Sequence, residues 1–139
     1  MVMPYLSFEG NCEEAFQWYE RVFEGRIEHM SKYGDMPDQP GMPLGDEQKR
    51  RVMHAQMMLT PNGGISGADV FQPLEKGNTV SIHIHLENEA KAIDIFNKLS
   101  EGGTVIGPIG TNPPPDDHGV SGCVKDRYGF TWILSAMKG

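Results

Sequence analysis

Residues 4–25 read Pro-Tyr-Leu-Ser-Phe-Glu-Gly-Asn followed by Cys-Glu-Glu-Ala-Phe-Gln-Trp-Tyr-Glu-Arg-Val-Phe-Glu-Gly. Alternation over Met3–Phe8 predicts a strand, with Leu6 and Phe8 on one face and Tyr5, Ser7 and Glu9 towards the other. Asn11, with Glu14 three residues on, has the pattern of a capping box. Cys12, Ala15, Phe16, Tyr19, Val22 and Phe23 then recur at helical steps and make one apolar stripe. Gly25 suits the left-handed conformation that ends a helix.

The same pattern returns downstream. From Val80 the chain reads Val-Ser-Ile-His-Ile-His-Leu-Glu-Asn, then Glu-Ala-Lys-Ala-Ile-Asp-Ile-Phe-Asn-Lys-Leu-Ser-Glu-Gly. Phe8 falls on Leu86, one residue is lost at the turn, and Ala15, Phe16, Tyr19, Glu24 and Gly25 fall on Ala92, Ile93, Phe96, Glu101 and Gly102. A repeat at this spacing governs the whole fold.

Outward from these stretches the rest falls into place. A strand is expected over Arg26–Tyr33, then an exposed loop from Gly34 to Gln48 with Pro37, Pro40 and Pro43; loops of this length are functional or mobile. Val52–Leu59 reads as a strand, with Met53, Ala55, Met57 and Leu59 opposite Val52, His54, Gln56 and Met58. Pro61-Asn62-Gly63-Gly64 is a hairpin turn, and Ile65–Val70 returns. Gln72 to Asn78 links the halves. In the second half Thr79–Glu87 alternates Val80, Ile82, Ile84 and Leu86 against Ser81, His83, His85 and Glu87. Asn88 caps a helix carrying Ala92, Ile93, Phe96 and Leu99, which ends at Gly102-Gly103. Thr104–Ile109 is a strand, Gly110 to Asp117 a stiff proline loop, and Val120–Lys125 with Phe130–Ala136 a hairpin around Asp126-Arg127-Tyr128-Gly129. The order is β-α-β-β-β twice, over residues 1–76 and 77–139.

The bulk properties narrow the function classes. At 139 residues the chain is one ordinary domain or two half-size modules. A net charge of -7 argues against nucleic acid, which needs clustered Lys and Arg. No apolar run approaches a membrane span, and no secretory pattern opens the chain, so a cytoplasmic protein is expected. Cys12 and Cys123 form no Cys-x-x-Cys motif and read as reduced, small apolar residues.

Each helix covers one face of its sheet. The opposite faces of two such modules are expected to enclose a cleft lined by Tyr5, Ser7, His54, Met58, Ser81, His83 and His85. Phe130 and Trp132 are placed there as apolar walls, with core packing as the alternative. His83 and His85 have a spacing able to hold one ion, but two polar side chains on a half-wet strand is the simpler reading. His54 is a cleft base or ligand, or a histidine bonded within the sheet. Asp69 reads as a turn cap rather than a histidine partner. Asp116, Asp117 and His118 read as solvated loop charge rather than a cation site, and Glu9, Glu13 and Glu14 as a charge cluster favoured at a helix start.

Pro4–Phe16, Tyr33-Gly-Asp-Met-Pro37, Val52-Met-His-Ala55, Gly77-Asn78, Leu99-Ser-Glu-Gly-Gly103 and Asp126-Arg-Tyr-Gly-Phe-Thr-Trp132 resemble the PhnB-like branch of the vicinal oxygen chelate superfamily. That superfamily includes glyoxalase I, extradiol dioxygenases and bleomycin- and fosfomycin-resistance proteins. The resemblance implies an α+β fold of two β-α-β-β-β modules forming a curved mixed sheet around a cleft, in a homodimer that can exchange modules. It implies a divalent-metal site near Met3–Tyr5, Ser66–Ala68, Ser81–His83, and Trp132 or Ile133. His83 is the one good ligand among these, and Ile133 stands where metal-using relatives commonly place glutamate. The branch is often labelled methyltransferase-like, but no glycine-rich nucleotide loop follows a strand here. The expected function is therefore binding of a small organic molecule without a confident cofactor. The alternative is a divalent-metal-dependent lyase, isomerase or dioxygenase acting on a small oxygen-bearing substrate through His83 with His54 or His85.

Overall fold

A computed structural model describes residues 1–38, 40–41 and 43–139. They fall into two units, Met1–Glu75 and Lys76–Gly139. In the first, β1 (Tyr5–Phe8) leads into α1 (Cys12–Phe23), β2 (Arg26–Lys32), a short α2 (Asp46–Arg50), β3 (Val52–Thr60) and β4 (Gly63–Asp69). Its sheet runs β1-β4-β3-β2, with β1 parallel to β4 and the other pairs antiparallel. In the second, β5 (Ile82–His85) leads into α3 (Glu89–Ser100), β6 (Thr104–Thr111), β7 (Gly119–Lys125) and β8 (Thr131–Met137). This sheet repeats the order as β5-β8-β7-β6, with β5 parallel to β8. Each unit is thus a β-α-β-β-β module holding a four-stranded mixed sheet. The 34–48 stretch is not all loop: a 3-10 turn at Tyr33–Asp35 opens it, and α2 begins near its end. The expected turn prolines Pro37, Pro40 and Pro43 lie between these two elements.

The core of each unit lies between sheet and helix. Leu6, Phe8, Ala55, Met57 and Ile65 are buried with Ala15, Phe16, Tyr19, Val22 and Phe23 of α1. Phe8 meets Phe16 edge to face at 6.2 Å between ring centroids, a favoured aromatic arrangement. The second unit buries Ile84, Leu86, Val124, Trp132 and Leu134 with Ala92, Ile95, Phe96 and Leu99 of α3. Ile93 is 40% exposed, so the α3 stripe runs through Ile95 instead.

The helix ends are built differently from the sequence pattern. Asn11 occupies the N-cap position of α1 but its side chain makes no cap hydrogen bond. The buried Asp69 carboxylate does that work from the far end of β4. It accepts from the Gly10 and Cys12 amides at 2.8 and 3.0 Å and from Val52 N–H at 2.8 Å. Asn88 does cap α3, its Oδ1 accepting from Lys91 N–H at 2.8 Å. At the C-terminus of α1 the left-handed residue is Glu24, at φ 54°, not Gly25. Gly25 is needed for another reason: a Cβ there would collide with the Met58 carbonyl oxygen. In the second unit Gly102 takes the positive φ, and Gly103 makes the same close approach, to the Lys125 carbonyl. Gly25 therefore corresponds to Gly103 rather than Gly102, and the residue lost before α3 is regained after it. Gly25→Ala and Gly103→Ala should each lower stability by about 1–3 kcal/mol, because carbonyl and Cβ cannot share that space. Urea midpoints that stay within error of wild type would contradict this.

Candidate functional site

Alternation along the strands divides each sheet into a face under its helix and a face turned away. On β3 of the first unit Ala55, Met57 and Leu59 are buried, while His54, Gln56 and Met58 are half-buried on the other side. Val52 breaks the alternation: it is buried with Ala55, where the β2–β3 register shifts between Ser31 and Lys32. On β1 the exposed Tyr5 and half-buried Ser7 share the helix-free side.

Tyr5 and His54 meet there. The Tyr5 hydroxyl lies 3.1 Å from His54 Nδ1, with the rings stacked at 5.7 Å between centroids. Desolvation of the hydroxyl pushes the Tyr5 pKa up, so the phenol keeps its proton. His29, on β2, stands beside it at 5.9 Å between ring centroids. His29 had no signal in the sequence, because β2 alternates weakly and is irregular between Ile27 and His29.

The second unit places His83 and His85 on the exposed side of β5, opposite the buried Ile84. The serine between them carries no local signal in the sequence, because it lies 52 and 50 positions from the two histidines. Ser135 Oγ of β8 lies 2.7 Å from His83 Nε2 and 2.9 Å from His85 Nδ1. The parallel register that pairs His85 with Ser135 also pairs His83 with Ile133. On β7, Ser121 stands next to Ser135 in register and donates to Asn112 Oδ1.

Three expected site residues lie elsewhere. Trp132 is fully buried under α3, and its indole N–H donates to Asp126 Oδ2 at 2.7 Å. It is core, because β8 starts at Thr131 and turns Trp132, Leu134 and Ala136 inward. Phe130 precedes β8 in a half-buried turn, its N–H donating to Asp126 Oδ1 at 3.1 Å. Asp126, 3% exposed, thus organises the β7–β8 turn by also accepting from Tyr128 N–H. Ser81 is exposed and lies just before β5, outside the ladder.

Asp69 is the helix cap and does not pair with a histidine. Burial, with Asp69 nearby, pushes the Cys12 thiol well above its ordinary value, so it stays neutral in the core. Glu9 accepts from Leu74 N–H, and Glu13 pairs with Lys32. A cavity of about 430 Å³ lies beside α2, lined by Tyr33, Met36, Asp38, Leu44 and Lys49 among others. None of the site residues expected from sequence lines it.

The metal implied by the resemblance finds a poor donor set. Among the described residues, no three His, Cys, Asp or Glu side chains gather to hold an ion. His83 has Ile133 as its neighbour in register, and a hydrocarbon cannot coordinate. Among the described residues, no helix is long and apolar enough to cross a membrane.

Two β-α-β-β-β units with these strand orders make the fold of the vicinal oxygen chelate, or glyoxalase-like, proteins. The fold is shared with the fosfomycin resistance protein FosX of Listeria monocytogenes, at a TM-score of 0.62 and 9% identity over 98% of this chain and 90% of that one. Within that class the chain belongs to the PhnB-like family described as 3-demethylubiquinone-9 3-methyltransferase, whose model matches residues 1–135. It is similar to protein PA1353 from Pseudomonas aeruginosa, with a TM-score of 0.84 and 30% identity over 100% of this chain and 98% of that one. A putative 3-demethylubiquinone-9 3-methyltransferase, PhnB protein, from Bacillus cereus aligns at a TM-score of 0.75 and 25% identity, covering 97% and 98%. Protein YjdN of Escherichia coli (strain K12) is 25% identical, covering 97% of this chain and 94% of its own length.

Proposed function

We propose that this PhnB-like protein binds a small organic molecule on the helix-free faces of its sheets. One observation carries the reading. His54, His83 and His85 each have one ring nitrogen tied to a hydroxyl of the same unit, Tyr5 or Ser135. Such a tie fixes an imidazole's orientation and leaves its second nitrogen to meet a ligand. Ser7 and Met58 complete the first face with a small polar group and an adaptable apolar one.

Methyl transfer, which the family description suggests, draws no support from the strand–helix turns. The β1–α1 turn holds one glycine, Gly10, and the Gly10 and Cys12 amides are both taken by Asp69. That helix start has fewer donors left for a nucleotide-like cofactor.

The test is a thermal-shift screen of small neutral and anionic compounds. A ligand at 100 times its Kd should stabilise the protein by about 2.7 kcal/mol, enough to raise Tm by several degrees. His83→Ala or Tyr5→Phe should shrink the shift from a ligand on the corresponding face. Silence across the collection would overturn the reading. So would one equivalent of tightly held divalent metal that is lost in His83→Ala, which would favour the metal-dependent enzyme instead.

A further inference from the structure

The contacts of Ser135 reach further than orientation. A serine hydroxyl has one hydrogen to give, and a neutral imidazole has one N–H and one lone pair. Ser135 Oγ stands at hydrogen-bond distance from both His83 Nε2 and His85 Nδ1. The nearby Ser121 hydroxyl donates to Asn112, so it gives no hydrogen to this group. Both contacts are satisfied together when Ser135 donates to one ring and accepts an N–H from the other. The ring that accepts then carries its proton on its outer nitrogen. The ring that donates has a bare lone pair there.

We infer that Ser135 locks His83 and His85 in one shared tautomer, both Nδ1–H or both Nε2–H, so that their outer nitrogens offer a ligand one N–H and one lone pair, and that this selects a neutral amide or lactam. The inference rests on the reading of this face as a ligand site. An amide edge carries a donor and an acceptor that cannot interchange, so it matches a fixed pair. A hydroxyl rotates to suit any tautomer and gains nothing from the lock; a carboxylate offers no donor to the lone pair. An ion held by both histidines is also disfavoured. It needs two outer lone pairs, which puts N–H on both inner nitrogens and leaves the Ser135 hydrogen without a ring to receive it.

The experiment is long-range proton–nitrogen correlation of the imidazoles in labelled full-length protein, first without ligand. His83 and His85 should show the same tautomer, and Ser135→Ala should uncouple the two rings so that their tautomers vary independently. Titration then compares δ-valerolactam with δ-valerolactone, which has the acceptor but no donor. The lactam should bind the wild type about tenfold more tightly, the worth of one well-made hydrogen bond. In Ser135→Ala the two should converge, and nickel affinity should rise. Different tautomers in the wild type, or equal binding of lactam and lactone, would overturn the inference while hits of other chemistry in the thermal-shift screen kept the binding reading alive. A shared tautomer with no compound bound at all would remove the binding reading, and the ligand assignment with it.

Discussion

Asp69→Ala is expected to cost about 3–5 kcal/mol of folding stability, a severe loss for one exposed-looking letter at a strand end. The carboxylate is 1% exposed and takes hydrogen bonds from three backbone amides. Those amides belong to the β1–α1 turn, the start of α1 and the start of β3, so one side chain ties three segments together. Each amide left without an acceptor costs about 1–3 kcal/mol, reduced where water enters. Asp69→Asn separates charge from geometry. Its amide oxygen can still serve Gly10 and Cys12, which share Oδ1, but its NH2 would face the Val52 N–H. About half the loss is expected there. Urea denaturation at constant slope measures both, and an alanine variant within 1 kcal/mol of wild type would contradict the assignment.

Trp132→Ala is the second large effect, at about 3–5 kcal/mol, because it empties the largest fully buried site in the chain. Trp132→Phe keeps most of the volume but leaves Asp126 Oδ2 without the indole hydrogen. A loss of about 1–3 kcal/mol is expected, set by the lost buried charge-assisted hydrogen bond. Because Trp132 lies under α3, the phenylalanine variant should keep the ligand affinity of wild type. A variant that folds normally but loses ligand would return Trp132 to the site.

Much of this was legible in sequence where the signal is local. The alternation from Ser81 to Glu87 put His83 and His85 on the polar face, Asn88 marked the start of α3, and Pro61-Asn62-Gly63-Gly64 marked the β3–β4 hairpin. The strand–helix repeat revealed the β-α-β-β-β modules themselves. What escaped was long-range or depended on parity. Thr131–Met137 carries apolar residues on both faces, so period two could not say whether Trp132 or Ile133 looked inward, and Thr131 and Ser135 were its only polar clues. Asp69 caps a helix whose first residue lies 57 positions earlier, beyond any local pattern. Glu24 takes the left-handed turn assigned to Gly25, because the glycine is spent on close approach to β3. Val52 changed faces because the sheet shifts register beside it.

The account stands or falls on where a ligand lands. Imidazole nitrogen shifts should be followed while a compound that stabilises the protein is added. Movement of His83 and His85, or of His54, with His118 unmoved, is the predicted result. Unmoved imidazoles on both faces, with the perturbation instead at Tyr33 and Lys49 around the cavity beside α2, would contradict it.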